Sequence, residues 1–231
     1  MKDKTSNPQL NAVLQALLDN SQLFPLELLP FFSDIPPADL NEIKKTWPEI
    51  TLERKLSLLE DLEDKMEADT MLSCNELAKF ALNDDFPEVR SSAISLLWEC
   101  DDHKLAAVFG GMLENDESDL VQTAAAAALG KFVLLGELDE IPASAAERTI
   151  KVLIKKLNSH PFKELEQELV KSLAYSSRPE IATMIEKARQ DSDPSWQTAA
   201  IIAMGRSADD RWEKPILQMI RSDDPEIKKD R

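Results

Sequence analysis

Apolar residues recur along the chain at the spacing of a single helical face. From Val89 they fall at Ala93, Leu96 and Leu97, the i, i+4, i+7, i+8 positions that line one side of a helix. The template returns as Val121, Ala125 and Leu129, as Leu165, Leu169 and Leu173, as Trp196, Ala200 and Met204, and it begins again at Ile227. The intervals are 32, 44, 31 and 31 residues. Each leaves room for a second helix, so the pattern predicts stacked helical hairpins. The expected fold is all-α: a right-handed α-solenoid with an N-terminal helical cap over residues 1–49. About five helix pairs are expected over 50–231, the last begun at 223 and incomplete.

Within the cap, Leu10, Val13, Leu14, Leu17 and Leu18 share one helical face, and Pro25 and Pro30 cut the apolar run LFPLELLPFF into short helices. Pro36-Pro37 starts a further short helix that Trp47-Pro48 closes. Leu52, Leu56 and Leu59 mark a repeat-type helix with a partner near residues 75–82. Asp193-Pro194 and Asp224-Pro225 set an Asp N-cap before a first-turn proline, and Ser118 holds the same slot in another copy. Phe86 takes that slot before Val89, so capping there is expected from Asp85 or water. Leu105, Val108, Phe109 and Met112 form the apolar face of a second helix. The long interval is assigned to an insertion at 136–147, either a recognition loop or a tolerated connection. Strands lack support: no Asn-Gly or Asp-Gly turn joins two alternating runs.

Charge narrows the function classes. Twenty-seven Lys and Arg face 43 Asp and Glu, for a net charge of −16 spread along the chain. Phosphate backbones and anionic membranes both demand basic faces, so neither nucleic acid nor membrane is an expected partner. The most apolar segment, 121–135, is interrupted by Gln122 and Lys131 and is short for a bilayer span. The N-terminus lacks an apolar leader run, and Cys74 and Cys100 lack metal-ligand spacing. These features predict a cytoplasmic protein with reduced core thiols. The acidic run EDLEDKMEAD at 60–69 lacks the order of a calcium loop and is expected to be a solvated helix end.

The segments DDFPEVRSSAISLLWE, NDESDLVQTAAAAALGKF and SDPSWQTAAIIAMGRSADDRW resemble bacterial HEAT repeats of the PBS-lyase-like kind, over about residues 50 to 231. Their usual unit reads D-x-D-P-x-V-R before an Ala-rich helix. Gln122, Glu166 and Gln197 stand where that pattern has Arg. The pairings at 97–99 and 204–207 look like those of a group of bacterial HEAT proteins with no assigned reaction.

HEAT-like folds host enzymes, each testable against the residues. Di-iron hydroxylases need four His-Glu pairs, whereas the only histidines here are His103 and His160, neither followed by Glu. Alkylpurine glycosylases need a basic concave surface, which a charge of −16 opposes. A bilin-lyase-like enzyme, or another HEAT-fold enzyme or chaperone acting on a partner protein, is the alternative reading. No nucleophile elbow, phosphate loop or zinc motif is present, and Gly110-Gly111 reads as a helix contact or kink. The expected function is therefore a non-enzymatic protein-interaction scaffold without a cofactor, binding a protein or peptide with a basic surface. Candidate contacts are Lys104 and Glu114 on one second helix, and Trp212, Glu213, Lys214 and Gln218 on another. Trp196 is expected in the core, Trp98 against the next unit, and Trp212 partly exposed. With Ile216, Met219 and Ile220, Trp212 would make an apolar end, giving a monomer or a weak homodimer through the C-terminal end.

Overall fold

Proline stands in the first turn of helices at Pro37, Pro87, Pro179 and Pro194, where its missing N–H has no intrahelical partner to lose. The computed structural model describes residues 8–220, and no strand occurs among them. The helices are α1 (Pro8–Leu18), α2 (Pro37–Thr46), α3 (Leu52–Ala68), α4 (Asn75–Ala81), α5 (Pro87–Leu96), α6 (Leu105–Asn115), α7 (Asp119–Glu137), α8 (Ala143–Leu157), α9 (Lys163–Leu173), α10 (Pro179–Arg189), α11 (Pro194–Arg206) and α12 (Glu213–Ile220). Short 3-10 turns fall at Leu26–Phe32, Trp47–Glu49 and Asp210–Trp212. The repeat start expected at Asp224-Pro225 and Ile227 lies outside the described residues. The chain divides into two compact units, one ending at Asp101 and the other beginning at Asp102.

In the first unit, Phe24, Phe31 and Phe32 bury against one another below the Leu26–Phe32 turn. Arg54 of α3 is buried and donates to the carbonyls of Asp19 and Gln22, which fastens the turn after α1 to the repeat helix. The core face of α3 is Leu58, Leu59 and Leu62, with Leu52 and Leu56 only half-buried. It is rotated from the face expected because Arg54 and Lys55 turn inward to make hydrogen bonds. Helix α3 packs on α5, and α4 on α5. The template residues Val89, Ala93, Leu96 and Leu97 are all buried there.

The second unit is arranged around α7, which packs against α6, α8 and α9. Helix α9 packs in turn on α11, and α10 on α11. The alanines of α7 allow close approach to α9. At Gly130 an added Cβ would lie 3.3 Å from the Ser172 Cα, and at Gly136 it would lie 2.4 Å from the Ala146 Cβ. Length and composition would let α7 cross a bilayer, contrary to the short span read from the sequence, yet its apolar side faces these neighbours as a core helix. The long interval has a different cause from the one expected. Helix α7 runs on to Glu137 and α8 begins at Ala143, so the supposed insertion is mostly helix, and the connection is only residues 138–142. Val108 also departs from its expected place. It is exposed, while Leu105, Ala106, Phe109 and Leu113 bury from α6.

Candidate functional site

The acidic signature before each repeat helix is first a structural device. Asp84 Oδ1 accepts from the Phe86 amide at 2.9 Å, Asp116 Oδ1 from the Ser118 amide at 3.0 Å, and Asp191 Oδ1 from the Asp193 amide at 2.9 Å, each closing an Asx turn. Asp84 thus fixes the turn before α5, while neither Phe86 nor Asp85 makes a side-chain cap there. Ser118 makes no side-chain cap, and Asp116 fixes the turn before it. Asp193 does cap α11, through the Ser195 amide. A second bond spans six residues each time: Arg90 Nη1 donates to the Asp84 carbonyl at 2.9 Å, Gln122 Nε2 to Asp116 at 2.7 Å, and Gln197 Nε2 to Asp191 at 3.0 Å. Glutamine therefore does the work that Arg90 does before α5, since only a side-chain N–H is required.

Before α5 this device is joined to a buried ion pair that the apolar pattern did not reveal. Lys55 Nζ lies 2.8 Å from Asp84 Oδ2, with side chains 5% and 1% exposed. The Trp47 indole donates to the same oxygen, and the Lys55 ammonium sits 5.2 Å and 5.3 Å from the Trp47 and Phe86 ring centroids. Burial by itself would raise the Asp84 carboxyl. Hydrogen bonds from Lys55, the Phe86 amide and Trp47, with the ammonium charge, outweigh it and hold the carboxyl below its usual value. Every polar atom of this cluster has an internal job, so it is scaffold rather than chemistry.

The residues predicted for contact are only partly brought together. Lys104 immediately precedes α6 and Glu114 lies near its end; both are exposed. They flank a groove of about 440 Å³ between α6 and α8, with Ala107, Gly110 and Gly111 along it and Arg148 on the far side. Glu114 pairs across it with Lys155 of α8 at 2.5 Å. Gly110 and Gly111 lie inside α6, and a Cβ at Gly111 would meet nothing within 4 Å, so they widen the groove and form no phosphate loop.

Trp212 does not behave as expected. It is 5% exposed, because the 3-10 turn capped by Asp209 folds it inward under the Arg211 guanidinium. It lines an open groove of about 800 Å³ between α10 and α12 without projecting from it. Glu213, Lys214 and Gln218 are exposed but do not line that groove. The apolar end expected to pair two copies thus loses its aromatic; Ile216 and Met219 are half-buried, and the Ile220 side chain lies outside the described residues. Trp98, expected to pack, is 52% exposed, and Trp196 is half-buried instead of core.

Other candidate chemistry is quiet. Cys74 and Cys100 are buried, unbridged thiols; burial, helped by the Asp34 charge, pushes Cys74 up to about 12, which keeps it protonated and inert. The acidic run forms the last turns of α3. Burial, then the charges of Glu60 and Asp64, raises Asp61; burial, then Glu67, Asp64 and Glu60, raises Glu63. Among the described residues no group of three or more His, Cys, Asp or Glu is placed to hold a metal ion.

No curated protein and no solved structure matches the chain. The family of HEAT repeats matches residues 75–145 and 150–230, more than half of the sequence. With the repeated Asx turns and helix pairs, that match makes the chain a member of the HEAT-repeat family.

Proposed function

We propose that this HEAT-repeat protein is a non-enzymatic, cytoplasmic scaffold that takes an extended segment of a partner protein along the α6/α8 groove. HEAT repeats generally mediate protein–protein interaction. The observation that carries the reading is the groove itself, whose small residues Ala107, Gly110 and Gly111 leave space between ionic side chains at either end. The net charge of −16 favours a basic partner and opposes nucleic acid, and such steering weakens as salt rises. Ala107 is exposed in the groove, so Ala107→Arg fills it without disturbing the core. Partner capture from the native host, read by mass spectrometry, should be lost with Ala107→Arg and should fall with added salt. Unchanged capture by that variant would refute the groove.

A further inference from the structure

Of the four repeat starts that the apolar template marks within residues 8–220, one lacks the device the other three share. The position of Asp84, Asp116 and Asp191 is filled before α9 by His160, and that of Arg90, Gln122 and Gln197 by Glu166. Histidine closes no Asx turn here. Its backbone instead adopts φ 52°, and a glutamate has no N–H to donate to the carbonyl six residues earlier. No described residue hydrogen-bonds or ion-pairs with the Glu166 carboxylate. Both substituted side chains line one cavity of about 290 Å³.

The remaining walls give that cavity a chemical character. Val170 of α9 and Met184 of α10 supply apolar surface, and Trp196 of α11 is half-buried beside them. Asp191 adds a second carboxylate, of which Oδ1 is taken by the Asp193 amide. Among the described residues the only Lys or Arg on the lining is Lys187, which is exposed and also borders the α10/α12 groove. An aromatic ring, apolar walls and two carboxylates against one ammonium suit a cation carried on an aliphatic stem.

We propose that this cavity receives an arginine or lysine side chain of the partner, with Glu166 as its counter-ion and Trp196 as its packing surface. The proposal rests on the reading that the chain binds a basic partner, and it adds a recognition point for one side chain. In the other repeats the equivalent position is spent on the turn clamp. Here the turn has been left unclamped and the carboxylate faces the cavity.

The test uses the full chain and two peptides: acetyl-Leu-Arg-Leu-amide and its citrulline counterpart, which is nearly isosteric but uncharged. The Trp196 indole resonance, assigned by comparison with Trp196→Phe, is followed during titration. The arginine peptide should shift it saturably, and citrulline should bind about tenfold more weakly, a difference of about 1.4 kcal/mol. Glu166→Gln, which removes the charge and offers an N–H at the clamp position, should weaken the arginine peptide several-fold without lowering the thermal unfolding temperature. Equal affinity for citrulline, an unaltered Glu166→Gln titration, or no movement of the Trp196 resonance would overturn the proposal. Ala107→Arg separates the two readings. Loss of partner capture in that variant with no Trp196 response in the wild type rejects the cavity alone, whereas intact capture with a charge-dependent Trp196 response rejects the groove alone.

Discussion

The turns before α5 and α9 occupy the same place in the repeat and have opposite chemistry. Before α5, Asp84 is saturated by a backbone amide, an indole and a buried ammonium, and Arg90 clamps its carbonyl. Before α9, His160 and Glu166 make none of these bonds, and both face a cavity. The difference teaches that a repeat signature is no guide to a binding site while its side chains are internally satisfied. The informative copy is the one that departs from the pattern and still folds.

The sharpest way to break this contrast is to remove Asp84. Asp84→Ala leaves Lys55 buried without its partner and should cost about 3–5 kcal/mol in chemical denaturation. Because the Asp84 carboxyl is held below its unfolded value of about 3.9, its contribution is fully present above that pH and is lost as pH falls through the folded value. Acid titration of the wild type should therefore lose stability below about pH 4, and Asp84→Asn should flatten that loss. Asp61 and Glu63 act with the opposite sign. Their raised values make protonation favour the folded state, so acidification through those raised values should stabilise α3 slightly.

Core truncations come next. Leu97→Ala and Leu129→Ala remove fully buried side chains and should each cost about 2–5 kcal/mol, with Lys104→Ala under about 0.5 kcal/mol as the exposed reference. The glycines sharpen the comparison further. Gly136→Ala drives a methyl into Ala146 and should cost about 1–3 kcal/mol. Gly111→Ala enters open space within α6 and should stabilise by up to about 1 kcal/mol through helix propensity. Smallest are the clamps. Gln122→Ala and Gln197→Ala should each lose about 1 kcal/mol, whereas Glu166→Gln, which supplies an N–H at the clamp position, should lose nothing. A Glu166→Gln loss matching the clamp variants would place that residue in the fold's support.

Much of the fold was legible because burial follows the 3.6 period. Val121, Ala125, Leu129, Leu165, Leu169 and Leu173 all bury as their spacing requires. The side-chain network was not legible, since a count of apolar positions passes over a lysine that turns inward. Asp84, repeated at fixed offset from Arg90, was the available signal for the turn, but nothing in spacing pairs it with Lys55, 29 residues earlier. The tryptophans were misplaced because ring orientation depends on local turns: the capped 3-10 turn buries Trp212, while Trp98 follows the end of α5 and faces outward. Glu166 was visible as a departure from the pattern. Its meaning needed the geometry of the three clamps around it.

Amide hydrogen exchange at the four repeat starts tests the contrast most directly. The amides of Phe86, Ser118 and Asp193 each donate to an Asp carboxylate, whereas Phe162, at the matching position before α9, has no such acceptor among the described residues. Exchange resolved by NMR should show the first three protected by about tenfold or more relative to Phe162. Equal protection at Phe162 would mean that the turn before α9 is held as firmly as the others, and the distinction between satisfied and released repeat starts would fail.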